Sequence, residues 1–224
     1  MIFNSYPGKF IVFEGLDGSG TTTQANFLFK YLKKQGKRVH LTGEPTHSLI
    51  GGLIEGQISG DWKSSAECLQ LLFAADRAYH LEKEIIPLLK RGINLICTRY
   101  VLSTLAYGSL EIKDEKWLME INKKFILPDI TFLLKVSAKT CIKRIKKERF
   151  HKELFEKEEK LKKVLKNYLK FAKKLPSFAK GYGGSTVASR EGGKKVYIIN
   201  GEKPIKEVFY EIRKNFNEIS KTRP

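Results

Sequence analysis

Apolar positions along the chain follow two rhythms. Short runs rich in branched and aromatic side chains, Phe10–Phe13, Arg38–Leu41, Ile93–Cys97, Ile130–Val136 and Val196–Ile199, have the length and composition of strands. Each of the first four is followed by a stretch in which apolar residues recur every three or four positions, as on one face of a helix. The predicted helices cover Thr21–Gln35, Ser48–Ile58, Ser65–Lys90, Leu102–Gly108, Glu115–Phe125 and Pro204–Ile219. In the first, Phe27, Leu28, Tyr31 and Leu32 form the stripe and Gly36 the stop. Strands apolar on both sides, alternating with helices, predict an α/β doubly wound parallel sheet with helices on both faces.

One segment keeps neither rhythm. Residues 176–195, "PSFAKGYGGSTVASREGGKK", are rich in Gly and Ser and are expected to form a flexible insertion before the last strand. With 224 residues, 42% of them hydrophobic, the chain suits one domain over 1–224 with a substantial core. No apolar run approaches a membrane span and "MIFNSYPGKF" has no signal-peptide pattern, so a cytoplasmic location is expected. Cys68, Cys97 and Cys141 are widely spaced and odd in number, which fits reduced thiols.

A net charge of +18 points to anionic partners. Much of the excess lies in residues 141–174, where acidic residues are interleaved and apolar positions keep a helical spacing. That is the pattern of a solvated helix face, so nucleotides are favoured over nucleic acid.

The stretch "EGLDGSGTTTQ", Glu14–Gln24, joins the first strand to the first helix. Gly15, Gly20 and Thr22 have the spacing of a phosphate-binding loop, but Thr21 stands at the lysine position. The loop's main donors are backbone amides at the positive end of a helix, so Gly15, Leu16, Asp17, Gly18, Ser19, Gly20, Thr21, Thr22 and Thr23 remain a candidate phosphate site. Thr22 holds the position whose hydroxyl meets Mg²⁺.

Four further stretches follow in order: "TGEPT", "LLFAADRAYH", "TRYVLSTLAY" and "PDITFLLKV". With the loop, they resemble the thymidylate kinase family of nucleoside monophosphate kinases, from about Phe10 to the last helix. The resemblance implies a five-stranded parallel sheet, ATP with Mg²⁺ as phosphoryl donor, dTMP as acceptor and a homodimer. It implies that Phe73 and Arg77, four apart on one helical face, stack on and hydrogen-bond the thymine. Arg99 would clamp the acceptor phosphate, Thr104 would meet the base edge, and Tyr107 would pack against the sugar, with Ser103 beside them. Asp17 would lie near acceptor sugar and metal, and Glu44 with Pro45 would shape the pocket. A lid at about 144–155 would bring Arg149 to the transferring phosphoryl group and Arg144 to the adenine, bordered by Asn200 and Gly201.

Four residues depart from the family pattern. Thr21 replaces the loop lysine, Thr98 the aspartate before Arg-Tyr, Gly43 a frequent arginine and Gly108 a frequent glutamine. Loss of one preorganised charge can lower a rate by about 10²- to 10³-fold. Two other readings therefore stand beside a dTMP kinase: a related nucleotide or deoxynucleoside kinase with another acceptor, and a catalytically impaired nucleotide-binding protein.

Overall fold

The computed structural model describes residues 2–148, 158–178 and 195–221. The strands are β1 (Ile2–Phe3), β2 (Phe10–Gly15), β3 (Val39–Gly43), β4 (Asn94–Thr98), β5 (Ile126–Leu127), β6 (Ile130–Lys135) and β7 (Lys195–Asn200). Five form a parallel sheet in the order β3-β4-β2-β6-β7, and β1 pairs with β5 in a small parallel sheet. The larger sheet is the one expected. The smaller pair was not, because two-residue strands carry no periodicity.

Alternation along the central strands divides the core. Phe10 and Val12 of β2 face one side with Leu95 and Cys97 of β4 and Leu133 of β6. Ile11 and Phe13 face the other with Ile96, Phe132 and Leu134. All of β2 is buried, as a strand covered on both faces must be. Helices α1 (Thr21–Lys34) and α9 (Ile205–Lys221) cover the second face through Ala25, Leu28, Val208 and Ile212. The first face is covered by α5 (Val101–Gly108), α7 (Ala138–Glu148) and α8 (Glu158–Phe178), which contribute Leu105, Cys141 and Phe171 among others. Residues 176–178 of the expected insertion close α8 and Lys195 opens β7, whereas 179–194 lie outside the described residues, as does most of the expected lid, Arg149 included.

The long helix predicted over Ser65–Lys90 is three pieces: α3 (Ala66–His80), a π-helical turn over Leu81–Ile85 and α4 (Ile86–Lys90). Pro87, in the first turn of α4, has no N–H to offer the preceding turn. The wider turn instead bonds Ile86 N–H to the Leu81 carbonyl. The helix predicted over Glu115–Phe125 stops early: α6 covers Glu115–Glu120, and the chain then turns into β5. The remaining helix, α2 (Leu49–Ser59), is capped by Ser48, whose side chain accepts from Gly51 N–H.

Because the five strands are parallel, their carboxyl ends lie on one edge. The turns after β2, β3, β4 and β7 deliver Asp17, Glu44, Arg99 and Gly201 to that edge, where open α/β sheets bind ligands.

Candidate active site

The turn after β2 is held by glycines where the backbone demands them. Gly18 and Gly20 take φ of 76° and 98°, and Gly20 gives α1 no side-chain cap. The opening amides of α1 therefore have no side-chain acceptor, which leaves them for an anion. Ser19 is buried and its hydroxyl has no partner within the described residues. A loop with open amides and an orphaned hydroxyl fits a polyphosphate. Gly18 is required for a second reason: a Cβ there would lie 2.6 Å from the Cys141 carbonyl oxygen and 2.9 Å from Ile145. Helix α7 rests on the loop, so no side chain could be housed at position 18.

Arg144, on α7, closes the other side of the loop. Its Nη1 donates to the Ser19 carbonyl at 3.2 Å and its Nη2 to the Gly201 carbonyl at 3.0 Å. It thereby links the phosphate loop to the turn at Asn200 and Gly201, the one expected beside the adenine.

The residues expected at the acceptor converge. One cavity of about 590 Å³ is lined by Asp17, Glu44, Pro45, Phe73, Arg77, Arg99, Ser103, Thr104 and Tyr107, all nine positions expected from the sequence. Arg99, directly after β4, has φ of 65°, a left-handed conformation that a non-glycine residue adopts at a cost of about 1–3 kcal/mol. Its guanidinium pairs with Asp17 and lies 5.3 Å from the centre of the Tyr107 ring. Burial, the largest single effect, works against that charge, but Asp17, Tyr107 and Tyr168 together outweigh it and raise the Arg99 pKa. Tyr107 Oη donates to Asp17 Oδ2 at 3.1 Å, so the Asp17 carboxylate faces the acceptor side.

Arg77 is only 1% exposed. Nε and Nη2 donate to Glu44 Oε2 at 3.0 and 2.7 Å, Nη2 also to Thr104 Oγ1 at 3.0 Å, and Nη1 to Asn122 Oδ1 at 2.5 Å. Four of its five N–H groups are thus directed at protein atoms. Behind Glu44, His80 Nδ1 lies 3.3 Å from Oε1, while its Nε2 lies 3.1 Å from Glu84. Burial would lower the His80 pKa, but its hydrogen bonds to the two carboxylates raise it to about 9. An imidazolium between two carboxylates fixes Glu44, and Glu44 fixes Arg77. Asp76 serves a separate, structural purpose. It accepts from Thr46 N–H at 2.8 Å and Thr46 Oγ1 at 2.6 Å, tying α3 to the start of α2.

Glu14, at the end of β2, is also buried and accepts from the Ser103 hydroxyl, which in turn lies 2.8 Å from Tyr168 Oη. Burial raises the Glu14 pKa to about 7 against the lowering effect of Ser103. His80, Glu14, Asn122 and Tyr168 were not among the expected residues. His80 and Glu84 do carry a signal, one helical turn apart beyond Arg77; Asn122 and Tyr168 carry none.

Two departures from the family pattern lie side by side. Gly43 and Thr98 are cross-strand partners, and a Cβ at position 43 would lie 2.4 Å from Thr98 Oγ1. The glycine makes room for the threonine. Thr22 and Thr98 border a second cavity of about 870 Å³ next to Glu44 and Pro45. Among the described residues no group of three or more His, Cys, Asp or Glu side chains is placed to hold a metal ion.

Two anion-directed surfaces, an amide loop and a cavity with a fixed guanidinium, thus meet at the carboxyl edge of one sheet. Enzymes that bring two nucleotides together for phosphoryl transfer are built this way, and the fold and site define a P-loop nucleoside monophosphate kinase. Comparison with known proteins gives the family: the chain belongs to the thymidylate kinases, whose family model, "Thymidylate kinase", matches residues 13–179. The "Probable thymidylate kinase" of Pyrococcus horikoshii is 43% identical over 175 residues, spanning 75% of this chain and 85% of that protein. Proteins of the same name from Sulfurisphaera tokodaii and Methanocaldococcus jannaschii are 43% and 42% identical over 169 and 163 residues, or 74% and 73% of this chain and 83% and 81% of theirs.

Proposed function

We propose that this enzyme phosphorylates dTMP to dTDP with ATP as donor. The observation that carries the reading is the convergence of Phe73, Arg77, Arg99, Thr104 and Tyr107 on one cavity beside the amide loop. ATP with Mg²⁺ would supply the phosphoryl group and neutralise charge on its oxygens.

The protein's part is positioning and electrostatics. The loop amides, the Ser19 hydroxyl and Thr22 hold the donor phosphates. Thr22 would give the metal one oxygen; Asp17 is committed to Arg99 and Tyr107, so the remaining metal ligands would be phosphate oxygens and water. Arg99 receives the acceptor phosphate and Asp17 keeps its guanidinium in place. Tyr107 walls the sugar subsite, and Phe73 offers a face for the base. Arg144 orders the loop against the adenine-side turn, and Arg149 of the lid meets the moving phosphoryl group.

Exposed Leu49 and Leu53 on α2, with Leu71 and Tyr79 on α3, support a homodimer formed through these two helices. The free thiols support a cytoplasmic setting.

A coupled assay of ADP release with dTMP, dUMP, dGMP and thymidine tests the reading. Turnover highest with dTMP is expected. Preference for another acceptor, or binding of dTMP without turnover, would overturn it.

A further inference from the structure

Helix α3 presents one more polar side chain to the acceptor cavity. Gln70 precedes Phe73 by three positions and Arg77 by seven, so the three share a helical face, and all three line the cavity. Gln70 is 5% exposed and its Oε1 has no hydrogen-bond partner among the described residues. A buried acceptor left unpaired costs about 1–3 kcal/mol, so a group of this kind needs a reason. Its space is made by a neighbour: a Cβ on Gly108 would lie 3.0 Å from both Cδ and Oε1 of Gln70 and 3.1 Å from Leu118.

The other polar groups lining the cavity near Arg77 are largely engaged with one another, Glu44 accepting from Arg77. Arg77 commits four N–H groups to Glu44, Thr104 and Asn122. Thr104 Oγ1, accepting from Arg77, keeps its own proton to donate to a carbonyl. Arg77 and Thr104 can therefore offer donors to a ligand, and of the two only the second lone pair of the Thr104 hydroxyl could accept. Gln70 adds a fully unengaged amide oxygen, and its amide can pair an acceptor and a donor with one ligand edge.

We propose that Gln70 reads the imide edge of the acceptor base: Oε1 accepts the ring N–H, while donors such as the Thr104 hydroxyl meet a flanking carbonyl. An N–H between two carbonyls belongs to thymine and uracil and is absent from cytosine, so Gln70 sets selectivity for the pyrimidine imide. The inference rests on the dTMP reading and names a residue that determines specificity within it.

Calorimetric titration with dTMP and with N3-methyl-dTMP, which lacks the imide hydrogen, tests it in wild type and Gln70→Met. Wild type is expected to bind dTMP about 10- to 100-fold more tightly than the methylated analogue. Gln70→Met, close in volume, is expected to lose that preference through weaker dTMP binding, with N3-methyl-dTMP affinity and ATP affinity within about threefold of wild type. Equal loss for both ligands, or an unchanged preference, overturns the role of Gln70. Gly108→Ala supplies an independent variant, since its methyl group crowds the Gln70 amide at 3.0 Å and shifts it, and is expected to reduce the same preference; a preference left intact there counts against the proposal. Failure of wild type to bind either nucleotide would instead sink the acceptor assignment, and the inference with it.

Discussion

At the scale of single residues, the site is built from charges that hold one another. Arg99 is fixed by Asp17 and by a left-handed backbone, which aims it into the cavity before any ligand arrives. Arg99→Ala is expected to raise the KM for dTMP at least about tenfold more than that for ATP, because it removes a phosphate contact on the acceptor side only. Steady-state kinetics with each substrate varied in turn would show it; equal effects would contradict the assignment. His80 makes a second testable case. Its pKa is raised from 6.5 to about 9, so the stability it contributes is fully present below pH 6.5 and is lost as pH rises through about 9. Thermal melts of wild type are expected to fall over that window, and those of His80→Gln to be flatter there. The affinity for dTMP should follow the same profile, since Arg77 is held through Glu44.

At the scale of elements, helices are docked onto strand ends through buried polar contacts rather than through the core alone. Glu14 connects β2 to α5 through Ser103 and so to Tyr168 on α8. With its pKa raised from 4.5 to about 7, Glu14 stabilises the fold most below pH 4.5, and that contribution is lost as pH climbs through 7. The full effect is about 3 kcal/mol. Denaturant unfolding of Glu14→Gln should lack this loss, and a variant with the wild-type slope between pH 4.5 and 7 would remove Glu14 as its source. The packing of α7 on the phosphate loop is equally specific. Gly18→Ala drives a methyl group against Cys141 and Ile145 and imposes a side chain on φ of 76°. Weaker ATP binding, with dTMP binding retained, is the expected outcome in a titration of each nucleotide.

At the scale of the whole molecule, charge and surface decide behaviour in solution. With +18 net charge and threonine where the family has a lysine, attraction for ATP comes largely from exposed cations, which salt screens. ATP affinity is expected to fall steeply with ionic strength, and Thr21→Lys to raise affinity at each ionic strength, since it adds a cation at the phosphates. Isothermal titrations at several salt concentrations would measure both. Assembly is the companion question: Leu53→Glu combined with Leu71→Glu should yield monomers in sedimentation if α2 and α3 form the dimer face.

By itself the sequence determined the main sheet and most of the helices that cover it, while its family resemblance singled out residues that the structure gathers around one cavity. The physical reason is that strand and helix periods are local, and the loop spacing of Gly15, Gly20 and Thr22 is local too. It did not determine the pair of β1 with β5 or the burial of Arg77, since each depends on partners distant along the chain, whereas the break at Leu81–Ile85 has a local signal in Pro87 that periodicity passes over. Gly43 and Thr98 looked like two separate losses until β3 and β4 set them side by side. Glu14, His80, Asn122 and Gln70 carry chemistry that only packing reveals: tertiary structure takes them out of water and chooses which polar atoms are paired and which are left facing the cavity.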